Sequence, residues 1–120
     1  MRKQLDSEEI RKALELVPGF LGVFPINKIP QNVPSHCVLS FVANLQPDNL
    51  PGNHWVAVRK TVNGRGYYFD SFGRLPPREI QHWFMKNCSN WTYNKLIVQK
   101  LDDSSACGYM CITFVKSNKL

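Results

Sequence analysis

No stretch of this chain is apolar for long enough to cross a membrane. The apolar stretches are short, such as Phe20 to Phe24 around Gly22, and end far short of the roughly 20 residues that a helical span needs. Internal repeats and low-complexity tracts are absent, which excludes solenoids and fibrous arrays. None of the four cysteines (Cys37, Cys88, Cys107, Cys111) forms a C-x-x-C pair, so neither a zinc ribbon nor a thioredoxin-like site is expected. His36 beside Cys37 has no second arm at metal-ligand spacing, and we expect no bound metal. Basic residues never run longer than two, as in Arg2-Lys3, Arg11-Lys12 and Arg59-Lys60. Lys and Arg nevertheless outnumber Asp and Glu by 15 to 9, a formal charge of +6. That balance suits an acidic partner such as nucleic acid, and equally a solubilising surface. The first nine residues have basic side chains with no apolar stretch behind them. We therefore expect no secretory leader, no membrane partner, and reduced thiols in cytoplasm or nucleus.

What is present is an ordinary globular mix, 43% hydrophobic and 20% charged over 120 residues, enough for a single domain. Asp6-Ser7-Glu8-Glu9 reads as a helix start, Ile10, Ala13, Leu14 and Val17 as its apolar face, and Pro18-Gly19 as its stop. Three prolines between residues 20 and 34 predict an extended surface segment. Residues 37–45 and 54–60 are strand candidates, with Cys37 and Cys111 read as core thiols. Asn63-Gly64 is a hairpin signal, and residues 67–70 return as the next strand. Pro77 suits the first turn of a helix carrying Ile80, Trp83 and Phe84, with His82 on its exposed side. Residues 91–98 fit a further strand, and 107–116 fit helix or strand. The pattern predicts one α+β or mixed α/β domain over residues 1–120, with an N-terminal helix in 1–18 and a core in 19–120.

Chemistry concentrates at a few positions. His54 follows a Pro-Gly-Asn loop and opens a strand, and Asp70 closes the strand that returns through the hairpin. Antiparallel pairing makes the two cross-strand neighbours within hydrogen-bonding reach, and a carboxylate there would orient and stabilise the imidazolium. Cys107 lies in Ser-Ser-Ala-Cys-Gly before an apolar run. At a helix N-terminus its thiolate would be favoured, and Gly108 would leave room for a substrate backbone. A thiolate beside an oriented imidazole is an activated nucleophile. Gln99, at the end of the strand before Cys107, is a candidate oxyanion donor together with the Cys107 amide.

These motifs resemble the adenovirus endopeptidase (adenain) family and the related ubiquitin-like-protein (SUMO) proteases. They are Gly52-Asn53-His54-Trp55-Val56-Ala57, Tyr68-Phe69-Asp70-Ser71-Phe72-Gly73, and Gln99 followed by Ser105-Ala106-Cys107-Gly108-Tyr109, with Phe20 to Pro25 and Val42-Ala43-Asn44 upstream. The order His, Asp, Gln, Cys is specific, because papain-type enzymes place the cysteine first. The resemblance implies an α+β, papain-like cysteine protease domain whose central mixed sheet is flanked by helices. It implies His54 as general base, Asp70 as its orienter, Gln99 as oxyanion donor and Cys107 as nucleophile, with Trp55, Asn44 and Gly108 in the substrate groove. It implies cleavage after glycine or another small residue in viral or virus-like precursor proteins, by a monomer in the host nucleus, cytoplasm or virion. Two other functions compete: deconjugation of ubiquitin or a ubiquitin-like modifier, and a non-catalytic DNA-binding module. Asp70 departs from the adenoviral Glu toward the SUMO branch, and Ser71 from the adenoviral Pro. No cofactor is required by the sequence. The family's activation by DNA and by a disulfide-linked peptide makes weak DNA binding a further expectation and Cys88 the candidate activator thiol.

Overall fold

The computed structural model describes residues 4–46, 54–94 and 106–117. Helix α1, Ser7–Leu14, starts on a reciprocal cap. The Asp6 carboxylate accepts from the Glu9 N–H at 2.8 Å, and the Glu9 carboxylate accepts from the Asp6 N–H at 3.1 Å. Its Ile10 and Leu14 are buried, while Leu16, beyond the helix end, is 92% exposed.

Five strands follow in spatial order equal to chain order: β1 Phe20–Pro25, β2 Leu39–Asn44, β3 Trp55–Lys60, β4 Arg65–Phe69 and β5 Asn90–Tyr93. β1 runs parallel to β2, β2 to β4 form an antiparallel meander, and β5 runs parallel to β4. Helix α2, Arg78–Asn87, crosses between β4 and β5, and helix α3, Ala106–Ser117, ends the described chain.

The extended segment expected after residue 20 is thus a strand of the sheet, followed by a short 3-10 turn over Ile26–Lys28 that buries Ile26. Glycine makes the pairing possible. Gly19 adopts φ +79°, and a Cβ there would stand 2.3 Å from the Val38 carbonyl oxygen. That close approach lets the Gly19 carbonyl accept the Ser40 N–H at 3.1 Å, where the parallel ladder begins. Pro25 is tolerated because it closes an edge strand.

Alternation along the strands divides the core into two layers. Phe41, Ala43, Val56, Val58 and Tyr68 point to the α2 side, against Ile80, Trp83 and Phe84. Val42, Trp55 and Ala57 point to the other side, against Ile10 and Leu14 of α1 and Cys107, Cys111 and Val115 of α3. The architecture is therefore α+β, a mixed sheet with helices on both faces, as expected. The ambiguous segment at 107–116 is helical because one face of it must cover the second layer. Arg59, buried at the end of β3, ties that helix down by donating to the carbonyls of Phe114 and Val115 and to Ser117 Oγ.

Candidate active site

The hairpin β3–β4 carries the site. Its loop turns through Asn63-Gly64, with Gly64 at φ +82° and its N–H donating to the Thr61 carbonyl at 3.1 Å. The ladder sets Ala57 opposite Phe69 and Val58 opposite Tyr68. Both strands end at the same edge of the sheet, with His54 just before β3 and Asp70 just after β4.

Beyond Phe69 the chain turns sharply. The Gly73 N–H donates to the Asp70 carbonyl at 2.7 Å, with Gly73 at φ +68°. This turn brings the Asp70 side chain under the imidazole. Asp70 is buried, and its Oδ1 lies 2.8 Å from His54 Nε2. A carboxylate only accepts, so the ring carries its proton on Nε2, and Nδ1 is the nitrogen left for the sulfur. Oδ1 also accepts the Phe72 N–H at 2.9 Å, while Oδ2 is buried without a hydrogen-bond partner.

Cys107 sits in the first turn of α3, where backbone N–H groups have no intrahelical partner. Its side chain is near enough to His54 to raise the imidazole pKa. Its Sγ also accepts the Trp55 N–H at 3.5 Å. Cysteine, imidazole and carboxylate thus form one connected line, closed on the sulfur side by the first residue of β3. Burial works against a charged imidazole here, but the hydrogen bonds and charges of Asp70 and Cys107 outweigh it and push the His54 pKa up to about 9.

Two residues that the sequence reading missed support this line. Asn94 grips the Asp70 backbone with both ends of its amide: Oδ1 accepts the Asp70 N–H at 2.9 Å, and Nδ2 donates to the Asp70 carbonyl at 2.6 Å. The side chain thereby extends the β4–β5 pairing by one residue. Phe72 stacks on the imidazole, with ring centroids 5.0 Å apart and planes 20° apart. A strict continuation of the hairpin register, which sets Phe72 opposite His54, was the available signal for the second.

Trp55 and Asn44 line a cavity of about 330 Å³ together with Gln4, Leu5, Asp6 and Ser7. The Trp55 indole N–H donates to the Leu5 carbonyl at 3.1 Å, so the segment before α1 forms one wall. Gly108 does not play the role expected of it. It is buried, and a Cβ there would meet Leu5 and Trp55 at 3.3 Å and Ile10 at 3.4 Å. Its missing side chain admits the chain's own packing and leaves no room for a substrate backbone. Cys37 is likewise corrected, being exposed where a core thiol was expected, just after the left-handed His36 at φ +61°. Cys111 is buried as expected, with its thiol pKa pushed up by burial. Cys88 is half-buried at the end of α2, and burial raises its pKa too. Gln99 lies outside the described residues. Among those residues, no cluster of three metal-ligating side chains occurs.

No family model matches the chain. Among solved structures, the crystal structure of an ASFV protease superimposes with a TM-score of 0.72 at 15% identity, covering 96% of this chain and 57% of that one. The chain shares the fold of that ASFV protease. A protein of Acanthamoeba polyphaga mimivirus, provisionally named a thiol protease, is 34% identical over 76 residues. That match covers 54% of this chain and 24% of the mimivirus protein. The chain therefore spans about a quarter of one relative and little more than half of the other. The protease fold accounts for the placement of the line described above, in which the sheet supplies imidazole and carboxylate and a helix N-terminus supplies the sulfur.

Proposed function

We propose that this chain is a cysteine endopeptidase in which Cys107 attacks, His54 carries the proton and Asp70 orients His54. One observation carries the reading: the imidazole bonds to Asp70 Oδ1 at 2.8 Å, with the Cys107 side chain, held by the neighbouring Trp55 N–H, near enough to raise the imidazole pKa. Cys107 attacks as a thiolate paired with the protonated imidazole of His54. Attack on a peptide carbonyl forms a tetrahedral oxyanion. The amides at the start of α3 and the Gln99 side chain would stabilise it. Collapse of the intermediate expels the amine, which takes its proton from His54 and leaves a thioester on Cys107. Water activated by the now neutral imidazole hydrolyses the thioester and restores the thiolate. The substrates proposed are precursor polyproteins of a virus or virus-like element, cleaved after glycine or another small residue, in the host nucleus or cytoplasm or in the virion.

The test uses an electrophilic thiol probe at neutral pH, with labelled sites read by mass spectrometry. Cys107 should label before Cys37, although Cys37 is exposed and Cys107 buried. Cys107→Ala should lose both labelling there and turnover of glycine-containing peptides, with its circular dichroism unchanged. Gln99→Ala should lose on the order of 100- to 1000-fold in rate. Preferential labelling of Cys37 would overturn the proposal. Parallel incubations with ubiquitin or SUMO fusions and with duplex DNA distinguish a deconjugating enzyme and a DNA-dependent one.

A further inference from the structure

We infer that Phe72 is a positioning residue for His54, its ring fixing the plane of the imidazole between Asp70 and Cys107; this rests on the protease reading above. The hydrogen bond from Nε2 to Asp70 fixes one atom of the imidazole, and the ring can still rotate about that contact. Productive proton transfer needs Nδ1 aimed at the sulfur, which requires the ring plane to be fixed too. Phe72 supplies the missing constraint. Its phenyl ring stacks on the imidazole at 5.0 Å with planes 20° apart. Its backbone N–H donates at 2.9 Å to Asp70 Oδ1, the same oxygen that receives His54 Nε2. One residue thus holds both partners of the ion pair, by its backbone on one and its side chain on the other. The Arg74 guanidinium lies 4.9 Å from the centre of the Phe72 ring and restrains that ring in turn.

An aromatic face also favours a cation stacked on it, so Phe72 assists the protonated imidazole beyond steric support. Among the described residues, the titratable groups acting on His54 are Asp70 from the end of β4 and Cys107 from α3. Arg74 is the charged group beyond Phe72. Replacing the side chain leaves the backbone N–H to Asp70 in place, so substitution isolates the ring.

The experiment measures alkylation of Cys107 by iodoacetamide from pH 5 to 10, with site-resolved mass spectrometry, in the wild type and in Phe72→Leu, Phe72→Met and Phe72→Tyr. Phe72→Leu and Phe72→Met should slow Cys107 alkylation near neutral pH by about tenfold and shift its pH profile, as loss of a stacked aromatic contact implies. Phe72→Tyr, which keeps the aromatic face, should restore both rate and profile to within about twofold of wild type. Phe72→Met keeps bulk and flexibility, so it remains informative if Phe72→Leu does not fold. Wild-type rates and profiles in a folded Leu or Met variant would overturn the inference while leaving the protease reading intact. If Cys107 of the wild type reacts no faster than Cys37, the protease reading fails and this inference with it.

Discussion

The ion pair at the centre of the site makes stability depend on pH in a definite direction. His54 titrates at about 9 in the folded chain against 6.5 for an unconstrained histidine. The folded state therefore binds the proton more tightly than the unfolded state, and stability falls as pH rises between those two values. The contribution is fully present below about pH 6.5 and is lost once pH has passed about 9. At 1.36 kcal/mol per pH unit the His54 proton alone amounts to about 3 kcal/mol, an upper bound because a proton given up by Cys107 in the same pair offsets it. The His54 side chain is only 12% exposed, so solvent screening removes little of this. For a domain stable by about 5 to 15 kcal/mol, such a loss is readily measured. Urea denaturation of the wild type at pH 6 and pH 9.5 should show it. The Asp70 hydrogen bond and charge each outrank the corresponding Cys107 contribution, and burial opposes both. Asp70→Asn should therefore remove more than half of the pH dependence while leaving the fold intact. An Asp70→Asn protein that loses stability with pH as steeply as the wild type would refute the reasoning. So would a wild type whose stability rises across that interval.

Two further outcomes follow from the packing of the sheet. Asn94→Ala removes the bidentate grip on the Asp70 backbone and leaves the buried Asp70 N–H unpaired, while the carbonyl keeps only the Gly73 N–H. We expect a loss of about 2 kcal/mol in chemical denaturation, with kcat for peptide hydrolysis falling more than KM changes; wild-type kcat in this variant would separate Asn94 from the site. Gly66→Ala would place a Cβ 2.6 Å from two Phe84 ring atoms beneath β4. Thermal melting should report destabilisation of about 1 to 3 kcal/mol from overpacking, and an unchanged melting temperature would show that α2 can shift away at no cost.

Much of this fold is legible in the residues because the local signals are strong and agree with tertiary need. Asp6 and Glu9 spell a capping box, and Asn63-Gly64 fixes a hairpin. Trp83 and Phe84 make an apolar stripe that has nowhere to go but the sheet. β1 was not legible, because its pairing depends on a glycine at residue 19 allowing a backbone approach that no pattern within residues 20–25 reveals. Cys37 was misread for a related reason. It precedes a fully buried strand and shares that strand's apolar character, but the left-handed residue before it leaves it outside the ladder. Gly108 was misread because glycine leaves space without saying what fills it. Here Leu5, more than a hundred positions earlier in the chain, fills part of it.

The line of Cys107, His54 and Asp70 shows the limit of register reasoning most clearly. Antiparallel pairing through Asn63-Gly64 rightly predicts that His54 and Asp70 meet. Yet the observed ladder, with each strand stepping one residue against the other from Lys60 opposite Gly66 to Ala57 opposite Phe69, continues to His54 opposite Phe72. Asp70 reaches the imidazole only because the ladder stops at Phe69, the chain turns at Gly73, and the Asn94 amide holds the turning residue from the neighbouring strand. Phe72, within that turn, stacks on the ring. A carboxylate directly opposite His54 would have met the imidazole from the position of the stacked face. Moving it two residues back delivers the carboxylate to the ring edge, where Nε2–H can donate in plane, and frees the face for an aromatic. The spacing of sixteen residues between His54 and Asp70, rather than eighteen, is what separates the two functions of orienting the proton and fixing the plane.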